Sequence, residues 1–166
     1  MIVVGIDPGK SGGVAVISED TVNLRNTPEE TTGMADIIRS AQSISYIDGE
    51  ELTAYIENVH AFPTDGRSSA FKFGMNYGMW LGILGAYKVN VIKVTPRVWM
   101  NDYAPLSKIK KERKKELKII GQEMFPDTKV TLKTSDALLI AVWGMNQKKG
   151  DKTNATPDNK GNKCNR

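Results

Sequence analysis

The chain has 166 residues, 40% of them hydrophobic and 25% charged, with a formal net charge of +4. That is the length and composition of one ordinary globular domain with a single core. The one cysteine, Cys164, excludes an internal disulfide framework and a cysteine zinc site, and it points to a reducing compartment.

Ile2–Ile6 reads as a buried strand. No basic segment precedes this apolar run, so a secretory signal is not expected. Asp7 closes the strand. Pro8-Gly9 and Gly12-Gly13 supply turn chemistry before a second apolar strand at Gly13–Ile17, which makes a hairpin. A third strand is expected over Thr21–Leu24. In Thr31–Ile47 the residues Met34, Ile37, Ile38, Ala41 and Ile44 fall on one helical stripe. Leu52–Val59 reads as a strand and Ser68–Tyr87 as a long helix. In that helix Gly74, Gly78 and Gly82 recur at i, i+4. Each interior glycine costs about 1 kcal/mol against alanine, so the stripe predicts close approach of another helix, from the core or from a second copy of the chain. This apolar-rich stretch contains Lys72 and Asn76 and falls short of a membrane span. Asn90–Val94 is a strand ended by Thr95-Pro96. Lys108–Met124 is a basic amphipathic helix that stops at Phe125-Pro126. Thr134–Gln147 is a helix apolar nearly all round. From Lys148 onward the residues are polar, which predicts a domain over 1–147 and a disordered tail over 148–166. Three meandering strands followed by helix–strand alternation predict an α/β fold, a mixed sheet with helices on its faces.

The charge is unevenly distributed. Residues 1–60 carry three basic residues against ten acids, and residues 88–118 carry ten basic residues against three acids. Such asymmetry points one electropositive face at a polyanion. Asp7, Glu57 and Asp136 stand apart among the acids because each lies in apolar company. Asp7 ends the first strand, Glu57 lies in "AYIENV", and Asp136 lies in the first turn of "TSDALLIAVW", with Thr134 or Ser135 as its cap. A helix-start acid alone is commonplace. Buried carboxylates from distant parts of a chain repel one another unless a cation holds them, and oxygen ligands suit Mg²⁺ or Mn²⁺. Two such ions about 4 Å apart clamp the attacking and leaving oxygens of an in-line phosphoryl displacement.

"GIDPGKSGGVAVI", "YIENVHAF" and "SDALLIAVW" resemble the catalytic motifs of the RuvC family of Holliday-junction resolvases, in particular its viral and prophage members. The resemblance spans roughly residues 1–147, in the family's order. It implies a ribonuclease-H-like fold: a five-stranded mixed sheet, its first three strands antiparallel, flanked by helices. It implies a homodimer that cuts the opposed strands of a four-way DNA junction in a bacterial cell. The reaction would use two Mg²⁺ ions per site, with Mn²⁺ substituting. Asp7, Glu57 and Asp136 are then metal ligands. Lys110, Lys111 and Lys114 lie where the family contacts phosphates. The family's junction-centre aromatic falls on either His60 or Phe62. Arg97 and Trp99 would line the groove, although Trp99 suits a core equally well. The helix carrying Gly74, Gly78 and Gly82 would form the dimer contact.

One departure matters. The family's fourth ligand falls three or four residues before the last acid, and here those positions hold Lys133 and Leu132. A lysine cannot ligate a metal ion. Lys133 could instead contact the scissile phosphate, or it could point to solvent ahead of the helix. Rival readings are an actin-like or sugar-kinase ATPase half, which needs a second domain for which this chain has no room; a nuclease for flaps or forks; and a junction-binding protein that no longer cleaves. No feature specifies a helicase partner.

Overall fold

The computed structural model describes residues 1–19, 21–58 and 66–153. At its centre lies Ile2–Ile6 (β1), buried along its whole length. A strand covered on both faces reads as an unbroken apolar run rather than an alternating one, which accounts for "IVVGI". Gly13–Ile17 (β2) pairs antiparallel with β1, and Val22–Asn26 (β3) pairs antiparallel with β2. β3 begins after the expected Thr21, because the Ser18 and Thr21 hydroxyls hydrogen-bond at 2.7 Å and draw Thr21 into the turn. Leu52–Glu57 (β4) lies parallel beside β1, and Asn90–Val94 (β5) parallel beside β4. The order is β3-β2-β1-β4-β5. The expected α/β architecture is therefore the observed one, with five strands of which the first three form an antiparallel meander.

Helices cover both faces. Thr31–Asp48 (α1) and Arg67–Ala86 (α2) lie on one side. Their Met34, Ile38, Trp80 and Leu84 pack with Val4, Ile6 and Ile56. Lys110–Met124 (α4) and Ser135–Thr153 (α5) lie on the other, where Leu117, Leu138 and Ala141 pack with Val3 and Tyr55. α5 presses directly on β1 through Gly5. A Cβ there would stand 2.1 Å from the Ala137 carbonyl oxygen and 2.6 Å from the Ala141 nitrogen. Residues 134–142 are all buried, which is why the first half of α5 is apolar on every face.

Three expectations change. Thr95-Pro96 ends β5 but also starts a short helix, Pro96–Met100 (α3), with proline in its first turn, where the missing N–H costs nothing. Trp99 of α3 is fully buried, so it is core and does not line the groove. α5 runs past 147 to Thr153, because Lys148 is anchored to the start of β4, donating to Thr53 Oγ1 at 2.6 Å and pairing with Glu51 at 2.9 Å. Residues 154–166, including Cys164, lie outside the described residues. Among the described residues, nothing approaches a Cβ built on Gly74, Gly78 or Gly82 within 4 Å, so the close approach their spacing predicts is not made there. No helix among the described residues is long and apolar enough to cross a membrane.

Candidate active site

The register between β1 and β4 sets Ile6 opposite Ile56. The next residue on each strand is an acid, so Asp7 and Glu57 emerge side by side at the carboxyl ends of two parallel strands. α5 begins above the same edge and brings Asp136 to them in its first turn.

Each carboxylate is held. The Gly9 N–H donates to Asp7 Oδ1 at 3.2 Å, and the Asp7 N–H donates to the Gly13 carbonyl at 3.0 Å. The turn between them wraps tightly. A Cβ on Gly12 would lie 2.2 Å from the Asp7 carbonyl oxygen and 2.7 Å from its Cγ, so only glycine fits. Glu57 is 8% exposed, and its Oε1 accepts the Trp99 indole N–H at 2.9 Å. Ser135 Oγ donates to Asp136 Oδ1 at 3.0 Å. The serine therefore supports the acid and does not cap the helix. Thr134 turns its hydroxyl back to accept the Thr131 N–H at 3.0 Å.

The cation among them is Lys114, from the second turn of α4. Its Nζ lies 2.5 Å from Asp136 Oδ2 and 3.7 Å from Asp7 Oδ2. Burial raises the Asp7 carboxyl above its ordinary value; the Lys114 charge opposes this and the Asp136 charge reinforces it. Glu57 is pushed up to about 7 by burial and by the Asp7 charge, against the lowering effect of the Trp99 hydrogen bond. For Lys114, burial pulls the ammonium down, but the Asp136 carboxylate, with help from Asp7 and Glu57, outweighs it and leaves a net rise. As they lie around Lys114, no three His, Cys, Asp or Glu side chains among the described residues enclose a metal ion.

A cavity of about 720 Å³ opens over Glu57 and Asp136 and is walled by Lys110, Lys111, Lys114 and Lys115. The sequence-predicted lysines of α4 thus come to the carboxylates, and Lys115, absent from the expected set, joins them. Arg97 is exposed on α3 and does not line this cavity. Lys133 is not brought in. α5 starts at Ser135, whose N–H donates to the Thr131 carbonyl at 3.0 Å. Lys133 therefore sits in the preceding turn, exposed, and Leu132 lines the cavity instead. The cation beside Asp7 and Asp136 is Lys114, carried there by α4, which packs on α5 at Gly121 against Leu138. His60 and Phe62 lie outside the described residues. Sequence reasoning missed the hydrogen bond from Trp99 to Glu57. The signal available was Thr95-Pro96 read as a helix start, which places the indole one turn in, behind the β4 edge.

No protein-family model matches the chain, and no curated protein matches it. Solved structures do. Thermus thermophilus RuvC in complex with Holliday junction substrate matches with a TM-score of 0.61 and 18% identity, covering 90% of this chain and 96% of that one. A second Thermus thermophilus RuvC structure matches with a TM-score of 0.57 and 18% identity, covering 90% of this chain and 97% of that one. At this identity the likeness is one of fold: the chain has the ribonuclease-H-like fold of RuvC.

Proposed function

We propose that this chain is a metal-dependent endonuclease that resolves four-way DNA junctions by paired phosphodiester cleavage, working as a homodimer in the bacterial cytoplasm. The observation that carries this reading is the group of carboxylates, Asp7, Glu57 and Asp136, gathered at one sheet edge under a lysine-rich helix. Its fold is that of a protein solved with a Holliday junction.

The donor set suits a hard divalent cation. It is all oxygen and it is buried, and burial first, then the charge of the neighbouring carboxylates, displaces the Asp7 and Glu57 carboxyls upward. Asp7, Glu57 and Asp136 would hold Mg²⁺, with Mn²⁺ as a substitute. Two such ions, when bound, would supply charge stabilisation for the attacking water oxygen and for the leaving oxygen of the phosphodiester. The chain's own groups do the rest. Trp99 fixes the orientation of Glu57, Gly9 that of Asp7, and Ser135 that of Asp136. Lys114 leaves its carboxylate partners for the scissile phosphate, where a fixed cation favours the more highly charged transition state. Lys110, Lys111 and Lys115 neutralise flanking phosphates and set the register of the strand. The open glycine stripe of α2, Gly74, Gly78 and Gly82, is where two copies meet. A symmetric dimer then presents two sites at a fixed separation.

The test is incubation of the full-length chain with Mg²⁺ and labelled four-way, three-way, flap and linear DNA. Paired nicks in the four-way junction, abolished in Asp7→Asn while junction binding survives, are expected. Cleavage by Asp7→Asn at the wild-type rate refutes the site. Cutting restricted to flaps or forks reassigns the substrate. The apolar Leu132 and exposed Lys133 in place of a fourth acid favour a second reading, a junction-binding protein without cleavage; binding with no cut under Mg²⁺ or Mn²⁺ would establish it.

A further inference from the structure

The two aspartates divide their oxygens in the same way. Asp7 Oδ1 accepts the Gly9 N–H, and Asp136 Oδ1 accepts the Ser135 hydroxyl. The second oxygen of each faces Lys114, whose Nζ lies 3.7 Å from Asp7 Oδ2 and 2.5 Å from Asp136 Oδ2. These are the oxygens that the local hydrogen bonds leave over for a metal ion, and one ammonium spans both. A divalent ion and Lys114 therefore compete for the same atoms.

The ammonium has one way out. Lys114 also lines the cavity over Glu57 and Asp136, and its side chain is 31% exposed there. A flexible four-carbon stem lets the head group swing off the carboxylates into that space. The other cations around the cavity are Lys110, Lys111, Arg113 and Lys115. In the free protein the swing runs against four like charges. With a phosphate backbone in the cavity the same swing gains a phosphate contact.

We propose that Lys114 stands in for the metal in the free protein, lowers the affinity of the aspartate oxygens for divalent ions, and gives those oxygens up when a DNA strand enters the cavity, so that DNA binding loads the metal. The inference rests on the endonuclease reading. A site that is competent only in molecules whose Lys114 has left shows an affinity reduced by that fraction. Whatever factor DNA restores to the metal, the metal returns to DNA. The metal centre is then assembled on substrate in preference to the free protein.

The experiment compares wild type with Lys114→Gln as full-length chains. Calorimetry gives Ca²⁺ affinity, and fluorescence anisotropy gives four-way junction affinity under a chelator or saturating Ca²⁺. Free Lys114→Gln should bind Ca²⁺ roughly ten- to a hundredfold more tightly than wild type. Ca²⁺ should tighten junction binding in both proteins, and by that same factor more in the wild type. A Ca²⁺ affinity that Lys114→Gln leaves unchanged or weakens overturns the proposal. So does an equal Ca²⁺-driven gain in both proteins, because Lys114 then does not pass to the DNA. Wild type alone gives a second reading if the variant does not fold. Saturating Ca²⁺ should raise amine labelling of Lys114, read by mass spectrometry against the exposed Lys115, and added junction should suppress it again. Labelling of Lys114 that Ca²⁺ does not move overturns the proposal. Cutting under Mg²⁺ without the coupling removes this proposal alone, and the coupling without cutting removes the endonuclease reading alone.

Discussion

Glu57→Gln should make the metal-free protein more stable and inactive at once. The Glu57 carboxyl is displaced from 4.5 to about 7 by burial and the Asp7 charge. Its folded-state value lies above its unfolded one, so the stability it contributes is present in full below about pH 4.5 and is lost as pH rises through about 7. At about 1.36 kcal/mol for each factor of ten in proton affinity, that amounts to about 3 kcal/mol missing at pH values near 8. Glutamine removes the charge and keeps an oxygen for the Trp99 indole, which stays 2.9 Å from that position if the core does not move. Thermal unfolding in the presence of a chelator is the assay. The variant should melt roughly 6–12 °C above wild type near pH 8, on the scale expected for a domain of this size, and the gain should shrink to nothing near pH 4.5. Added Mg²⁺ should stabilise the wild type, since a ligand that binds only the folded state does so by mass action, and should do much less for the variant. A gain that is absent, or equal at both pH values, would refute the argument that a buried charge at Glu57 opposes folding.

Removing Lys110, Lys111 and Lys115 together should flatten the log–log dependence of DNA affinity on salt by about two to three units, at about 0.9 per released phosphate contact; an unchanged slope places the DNA elsewhere. Lys114→Ala should slow single-turnover cleavage by roughly tenfold or more, about 1.4 kcal/mol. Lys133→Ala should leave it unaltered; the reverse pattern would restore Lys133 to the site. Gly78→Leu should separate the subunits in sedimentation without unfolding the chain, because a Cβ there meets nothing within 4 Å among the described residues. A dimer that persists would move the interface off α2.

The sequence by itself determined most of the strands and helices and the three acids. Those signals are local: an unbroken apolar run for β1, glycine and proline at the turns, a helical stripe for α1, and acids conspicuous because their neighbours are apolar. The meander also followed from turn chemistry, and the resemblance added the number of strands and the antiparallel sense of the first three; that β4 and β5 run parallel to β1 came from the tertiary structure. Local pattern could not say which cation stands among the carboxylates. Lys133 is close to Asp136 in sequence and points to solvent, whereas Lys114 arrives from another helix, 22 residues away. What decides between them is where α5 begins and how α4 seats on it, with Gly121 letting Leu138 approach to 3.3 Å of a Cβ position. The same holds for Trp99, whose short helix looked like a strand terminator until packing turned its indole onto Glu57. The end of α5 is a third case, extended past the apolar residues by Lys148 on Thr53 and Glu51. Each of these depends on contacts between residues far apart in the chain. Such contacts form only when two elements bury a shared surface, and no spacing within either element encodes that.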